Sequence, residues 1–201
     1  MYEEALQIHR IARGDDSIEV AASLNNLGST LSKTGMLSEA RANYEEALGI
    51  YRRVHGEMSP SVAGVFINIA VDLRKQGHLD EALEMYKKAL KIERRVLGKD
   101  HQDVAVSRRN IGVILSDQGK YDEALEMFDK ALSTYTRALG IDNRQNAFVL
   151  HNLASAKLKS GDRDGALESA REAVRIFTKL GTTDAASEEA VDLLRTLEGG
   201  A

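Results

Sequence analysis

Apolar positions along this chain fall into blocks of helical spacing, and the blocks recur every 42 residues. The stretch from Val62 to Lys99 shows the unit. Val62, Val65, Phe66, Ile69, Ala70 and Leu73 share one face of a first helix. Gly77 ends that helix and His78 supplies the turn. A second stripe runs through Leu79, Ala82, Leu83, Tyr86, Ala89, Leu90, Ile92 and Val96, and Gly98 closes it. The pattern predicts a hairpin of two amphipathic helices. Ala70, Ala82 and Ala89 leave room for close approach, and Tyr86 is expected to fill the gap between neighbouring hairpins.

The same landmarks return in register. Gly35, Gly77, Gly119 and Gly161 mark the turns, and Ala40, Ala82, Ala124 and Ala166 follow five residues later. Ala47, Ala89, Ala131 and Ala173 come next, with Tyr44, Tyr86 and Phe128 between the alanine pairs. Ala170 breaks the aromatic rule, and Gly165 further weakens the last hairpin. A fixed period of this length predicts stacked hairpins, each touching only its neighbours. The expected units are 20–60, 61–102, 103–144 and 145–183, preceded by the second helix of an incomplete unit over 1–19. A capping helix is expected over 184–198, with Ala186, Ala190, Val191, Leu194 and Leu197 inward and Glu188, Glu189, Asp192 and Arg195 outward. The tail over 199–201 should fray.

Tyr2, Ala5, Leu6 and Ile8 fall one period before Tyr44, Ala47, Leu48 and Ile50, so the chain opens in a second helix. It reads as a segment of a longer protein. Leu6, Ile8 and Ile11 then form an uncovered stripe, which predicts a homodimer or end-to-end stacking through residues 2–12.

Composition sharpens this picture. One proline, Pro60, among abundant Ala, Leu, Glu, Lys and Arg predicts an almost wholly helical chain. The absence of cysteine excludes disulfides and thiolate metal sites. No apolar run reaches the ~18–20 residues of a membrane span, and no signal-peptide pattern precedes the first unit. A soluble cytoplasmic protein with no membrane partner is expected.

Leu27, Ile69, Ile111 and Leu153 are each followed by a small residue, Gly28, Ala70, Gly112 and Ala154. With Leu31, Leu73 and Leu115 they resemble the first helix of the tetratricopeptide repeat, and the alanines and aromatics above match its second helix. The usual unit is ~34 residues with a closing proline; here Arg52, Arg94 and Arg137 lie in helix and the second helix is longer. The connector from Leu97 to Ala105 and the first-helix opening Leu24 to Gly28 resemble the long repeats of kinesin light chains. The resemblance covers about residues 1–180. It implies an all-α, right-handed superhelical solenoid of helix–turn–helix repeats whose first helices line a concave groove. It also implies capture of short cargo peptides with an aromatic residue amid acids.

The candidate peptide-binding residues on the first helices are Asn25, Asn26, Lys33, Asn68, Arg74, Lys75, Arg109, Asn110, His151, Asn152 and Lys159. Asn26, Asn68, Asn110 and Asn152 share one register, although Asn costs roughly half a kcal/mol against Ala in a helix. Such a ladder of amides could hydrogen-bond an extended peptide backbone, or it could tie neighbouring helices together. The first-helix segments also carry Lys33, Arg74, Lys75, Arg108, Arg109, Lys157 and Lys159 against Asp72, Asp103 and Asp117. The whole chain carries a net charge of −4. A basic groove on an acidic body favours an acidic ligand, and an acidic chain lacks the footprint of a nucleic-acid binder. The lysine clamp for a terminal carboxylate is missing, because its positions hold Asn25, Ile67, Arg109 and His151.

Catalysis, cofactors and metal sites find no support. His78 and His101 read as turn residues and His9 and His55 as helix-end residues, while His151 alone faces the groove. No phosphate loop, nucleophile elbow or metal-ligand spacing occurs. The expected function is therefore a protein-interaction module acting as a cargo adaptor. The alternative is a scaffold or regulatory array working by self-association or intramolecular docking.

Overall fold

The computed structural model describes residues 2–199, and the side chains of Tyr2, Glu3 and Ala5 lie outside the description. The chain divides into two compact units, Met1–Gly98 and Lys99–Ala201.

In the first unit, α1 (Tyr2–Arg13) packs on the hairpin of α2 (Ile18–Lys33) and α3 (Leu37–His55), followed by the hairpin of α4 (Pro60–Lys75) and α5 (Leu79–Val96). Ser17 and Ser59 cap α2 and α4 by accepting hydrogen bonds from Val20 N and Val62 N. Pro60 stands in the first turn of α4, where its missing N–H costs nothing. Gly35 and Gly77 carry positive φ between the paired helices, a conformation that other residues enter at a cost.

The second unit holds the hairpins α6 (Gln102–Asp117) with α7 (Tyr121–Leu139) and α8 (Arg144–Ser160) with α9 (Arg163–Lys179), then α10 (Ala185–Gly199). His101 caps α6 and Asn143 caps α8. Acidic Asp122 and Glu123 sit in the first turn of α7, where they complement the helix dipole. Gly200 and Ala201, where fraying is expected, lie outside the described residues.

The repeated small residues and aromatics meet inside the hairpins. Ala40, Ala82, Ala124 and Ala166 are all fully buried, as are Ala47, Ala89, Ala131 and Ala173. A Cβ built on Gly28 would lie 2.7 Å from Cε1 of Tyr44, and one on Gly112 would lie 2.6 Å from Cε1 of Phe128. Tyr44 and Phe128 therefore press onto the first helix of their own hairpin. The glycine opens space directly beneath the ring, while Tyr86, whose register partner on the first helix is Ala70, is likewise buried. Burial pushes the Tyr44 hydroxyl up to about 12, with the charge of Asp72 adding to the shift, so the phenol stays neutral.

The last hairpin replaces the aromatic with Ala170, and α10 repairs the loss. Ala154, Ala166 and Ala170 form one buried cluster with Leu197, backed by Leu158, Leu167, Leu193 and Leu194. Truncating Leu197 to alanine should cost about 2–5 kcal/mol. Amide exchange should then accelerate in α9 and α10 before α6 and α7 are affected.

Ion pairs with a recurring 37-residue step tie second helices to the connector before their hairpin: Arg53 to Asp16, Arg137 to Asp100 and Lys179 to Asp142. Hydrogen bonds from Lys179 and Arg175 hold the Asp142 carboxyl below its usual range. These exposed pairs add little stability each. Among the described residues no helix is long and apolar enough to cross a membrane.

Candidate peptide-binding faces

The candidate residues lie on α2 and α4 in the first unit and on α6 and α8 in the second. Asn26, Lys33, Arg74, Lys75 and Lys159 are exposed, while Asn25, Asn68, Arg109, Asn110, His151 and Asn152 are half-buried. The two faces are built from the same registers but differ in how much of their polar chemistry is already used.

In the first unit, Asn68 Nδ2 donates to Asn25 Oδ1 at 2.9 Å. One amide of the register is thereby spent joining α4 to α2. Beside it, the buried Asp72 accepts a hydrogen bond from the Ser32 hydroxyl, and Lys75 Nζ stands 3.4 Å from that hydroxyl and 3.9 Å from the carboxylate. The network is nearly hidden in the sequence. Its one signal is an acidic residue in a register otherwise held by Thr30, Ile114 and Ala156.

In the second unit, the Asn register stays open. Among the described residues, neither Asn110 nor Asn152 hydrogen-bonds to another protein group. The difference has a simple origin in sequence: the position 43 residues before the asparagine, Asn25 for Asn68, is Ile67 for Asn110 and Arg109 for Asn152. Arg109 lies over the ring of Phe148, with its guanidinium carbon 5.7 Å from the centroid. Phe148 in turn meets Phe177 edge-on at 5.6 Å, and Arg144 also lies over it at 4.9 Å. Arg144 is paired with Asp184, whereas Arg109 has no carboxylate partner among the described residues.

His151 Nδ1 is buried without a hydrogen-bond partner. Burial holds the imidazole below its ordinary value, against an opposing pull from Glu189. It is a neutral wall of the face at physiological pH. His9, expected at a helix end, sits within α1 and bonds the Ser23 hydroxyl at 2.8 Å; its apolar neighbours extend the helix past it. His55 does end its helix and stacks on Tyr51.

Two cations counted with the first helices turn away from the open side. Arg108 donates to Thr134 Oγ1 at 3.1 Å on α7. Lys157 Nζ reaches Ser169 Oγ at 3.2 Å on α9. The other cations of these segments still outnumber the exposed acids Asp103 and Asp117. Among the described residues no group of three or more His, Cys, Asp or Glu is placed to hold a metal ion.

The two kinds of asparagine should respond differently to truncation. Asn68→Ala should cost about 1 kcal/mol by stranding Asn25. Asn110→Ala and Asn152→Ala should leave stability unchanged or raised, since Ala is the better helix former. Denaturation midpoints of the three variants check this.

A family model described as Tetratricopeptide repeat matches residues 1–53, 61–136 and 103–179. No curated protein matches the chain in sequence. Among solved structures, BtubC (BKLC) from P. vanneervenii is similar at 24% identity and a TM-score of 0.87, over 98% of this chain and 80% of that one. A putative kinesin light chain with nearly identical TPR-like repeats, from Podosopora anserina, is similar at 19% identity and a TM-score of 0.72, over 89% and 87% of the two chains. A second structure of that protein gives a TM-score of 0.74. At these identities the likeness establishes the fold, an all-α repeat solenoid.

Proposed function

This chain belongs to the tetratricopeptide repeat family, a family of protein-interaction modules, and from that premise we propose that it captures a short acidic peptide as a cytoplasmic cargo adaptor. The observation that carries the reading is the open polar chemistry on α6 and α8. Arg109 is a half-buried cation that, among the described residues, has no carboxylate partner, and the Asn110 and Asn152 amides on the same two helices are unspent. An extended peptide satisfies both at once, its backbone on the amides and an acidic side chain on the guanidinium. The exposed Lys159 of α8 adds a long-range attraction. The likeness to a putative kinesin light chain supports the adaptor role by analogy of fold alone.

Fluorescence anisotropy with labelled peptides of one length tests the proposal. An Asp/Glu-rich peptide should bind more tightly than its Asn/Gln counterpart, and a Lys-rich one should bind least. Equal affinity for all three would end the acidic-ligand reading.

A second reading, self-association, rests on α1. Ile8 is 63% exposed, whereas Ile50, Ile92 and Ile176 in the same register are at most 3% exposed. Sedimentation should then show mass rising with concentration, and Ile8→Asp should abolish the rise. A strict monomer at high concentration removes this reading.

A further inference from the structure

We infer that Phe148 sets the orientation of Arg109, so that the second unit reads the side-chain carboxylate of its ligand by a fixed guanidinium fork rather than by charge alone. The inference rests on the acidic-peptide reading and deepens it by naming the subsite.

Four observations lead there. Arg109 lies over the Phe148 ring at 5.7 Å. The ring is itself fixed, edge-on against Phe177, which is 2% exposed. No carboxylate of the described residues pairs with Arg109, although the exposed Arg137, Arg144, Arg171 and Arg175 of this unit each have one. Finally, Asn152 stands to Arg109 as Asn68 stands to Asn25, 43 residues on, and that earlier pair is within hydrogen-bond distance.

A guanidinium held over an aromatic face by cation–π attraction loses part of its freedom, while its N–H groups stay available to a ligand. Such a restrained fork suits two parallel hydrogen bonds to a carboxylate. Ordering the fork in advance removes part of the entropy that a free arginine loses on binding. The register holding Phe148 reads Ala22, Gly64 and Val106 earlier in the chain, so no other repeat offers such a platform at this position. In the first unit Arg52 lies over the Phe66 ring at 5.6 Å, but it stands on the second helix α3 and is already paired with Glu57. Phe148 is thus a positioning residue and Arg109 the specificity-determining one.

The test measures affinity of the full chain for an acidic peptide amidated at its C-terminus, so that only side-chain carboxylates are offered. Arg109→Lys keeps the charge and loses the fork. It should weaken binding about as much as Arg109→Gln, roughly tenfold or more. Phe148→Leu should weaken binding to a similar degree, while Phe148→Tyr, which keeps the ring, should restore it. In the Arg109→Gln background, Phe148→Leu should add no further loss, because both changes remove one contact. Unchanged affinity in Arg109→Lys would overturn the inference and leave acidic-peptide binding standing. Full additivity of the Phe148 and Arg109 changes would also overturn it, since Phe148 would then act through general packing. Absence of acidic-peptide binding by the unaltered chain would overturn both the inference and the reading beneath it.

Discussion

Phe128→Ala is expected to lower stability by about 3–5 kcal/mol. Phe128 is 1% exposed and its ring lies on Gly112, so its removal empties the centre of the α6–α7 hairpin. The hairpin that carries Ala170 in this register survives because Leu197 of α10 joins its cluster. No terminal helix stands beside the α6–α7 hairpin to fill it in the same way. The reverse change tests the same contact. Gly112→Val places a Cβ 2.6 Å from the Phe128 ring, and overpacking of this kind costs about 1–3 kcal/mol even though Val is a better helix former than Gly. Combined in one chain, the two changes should cost less than their sum, because each relieves the other. Denaturant midpoints of the two variants and the double variant give the comparison.

Arg109→Glu is expected to remove acidic-peptide binding, by about 2–5 kcal/mol, while costing the fold only about 0.5–1 kcal/mol for the lost stacking on Phe148. The gap between the two magnitudes separates a binding role from a structural one. Lys159→Glu should behave differently. Lys159 is exposed and engages no described residue, so its reversal should slow association and flatten the salt dependence with little change in release. Stopped-flow rates at two salt concentrations, alongside thermal midpoints, check both variants.

The periodic features of the chain are legible in its sequence because they depend on local spacing. The helices of the described residues follow from apolar stripes broken by Gly35, Gly77, Gly119 and Gly161, and no long-range information is needed to see them. The direction of Tyr44 and Phe128 is not legible in the same way. How closely each ring presses onto its first helix is set by the missing Cβ at Gly28 and Gly112, a detail that apolar spacing does not record. The ion pairs of Arg53, Arg137 and Lys179 with the preceding connector are also hidden, since they join residues 37 apart across a turn.

For the candidate faces, sequence identifies the register of the asparagines but does not rank its members. Asn68 and Asn152 are alike in sequence context, yet one is joined to Asn25 and the other stands at Arg109's step in the repeat. The distinction lies one full repeat away, in the residue each meets. Likewise, Arg108 and Arg109 are adjacent in sequence, and helical geometry sends one to Thr134 and the other to Phe148.

Amide hydrogen exchange on the full chain, with and without saturating acidic peptide, tests the binding face most directly. New protection is expected on α6 and α8, centred on Arg109, Asn110 and Asn152. Protection confined to the second helices α7 and α9, or to α1, would contradict a ligand held by the first helices.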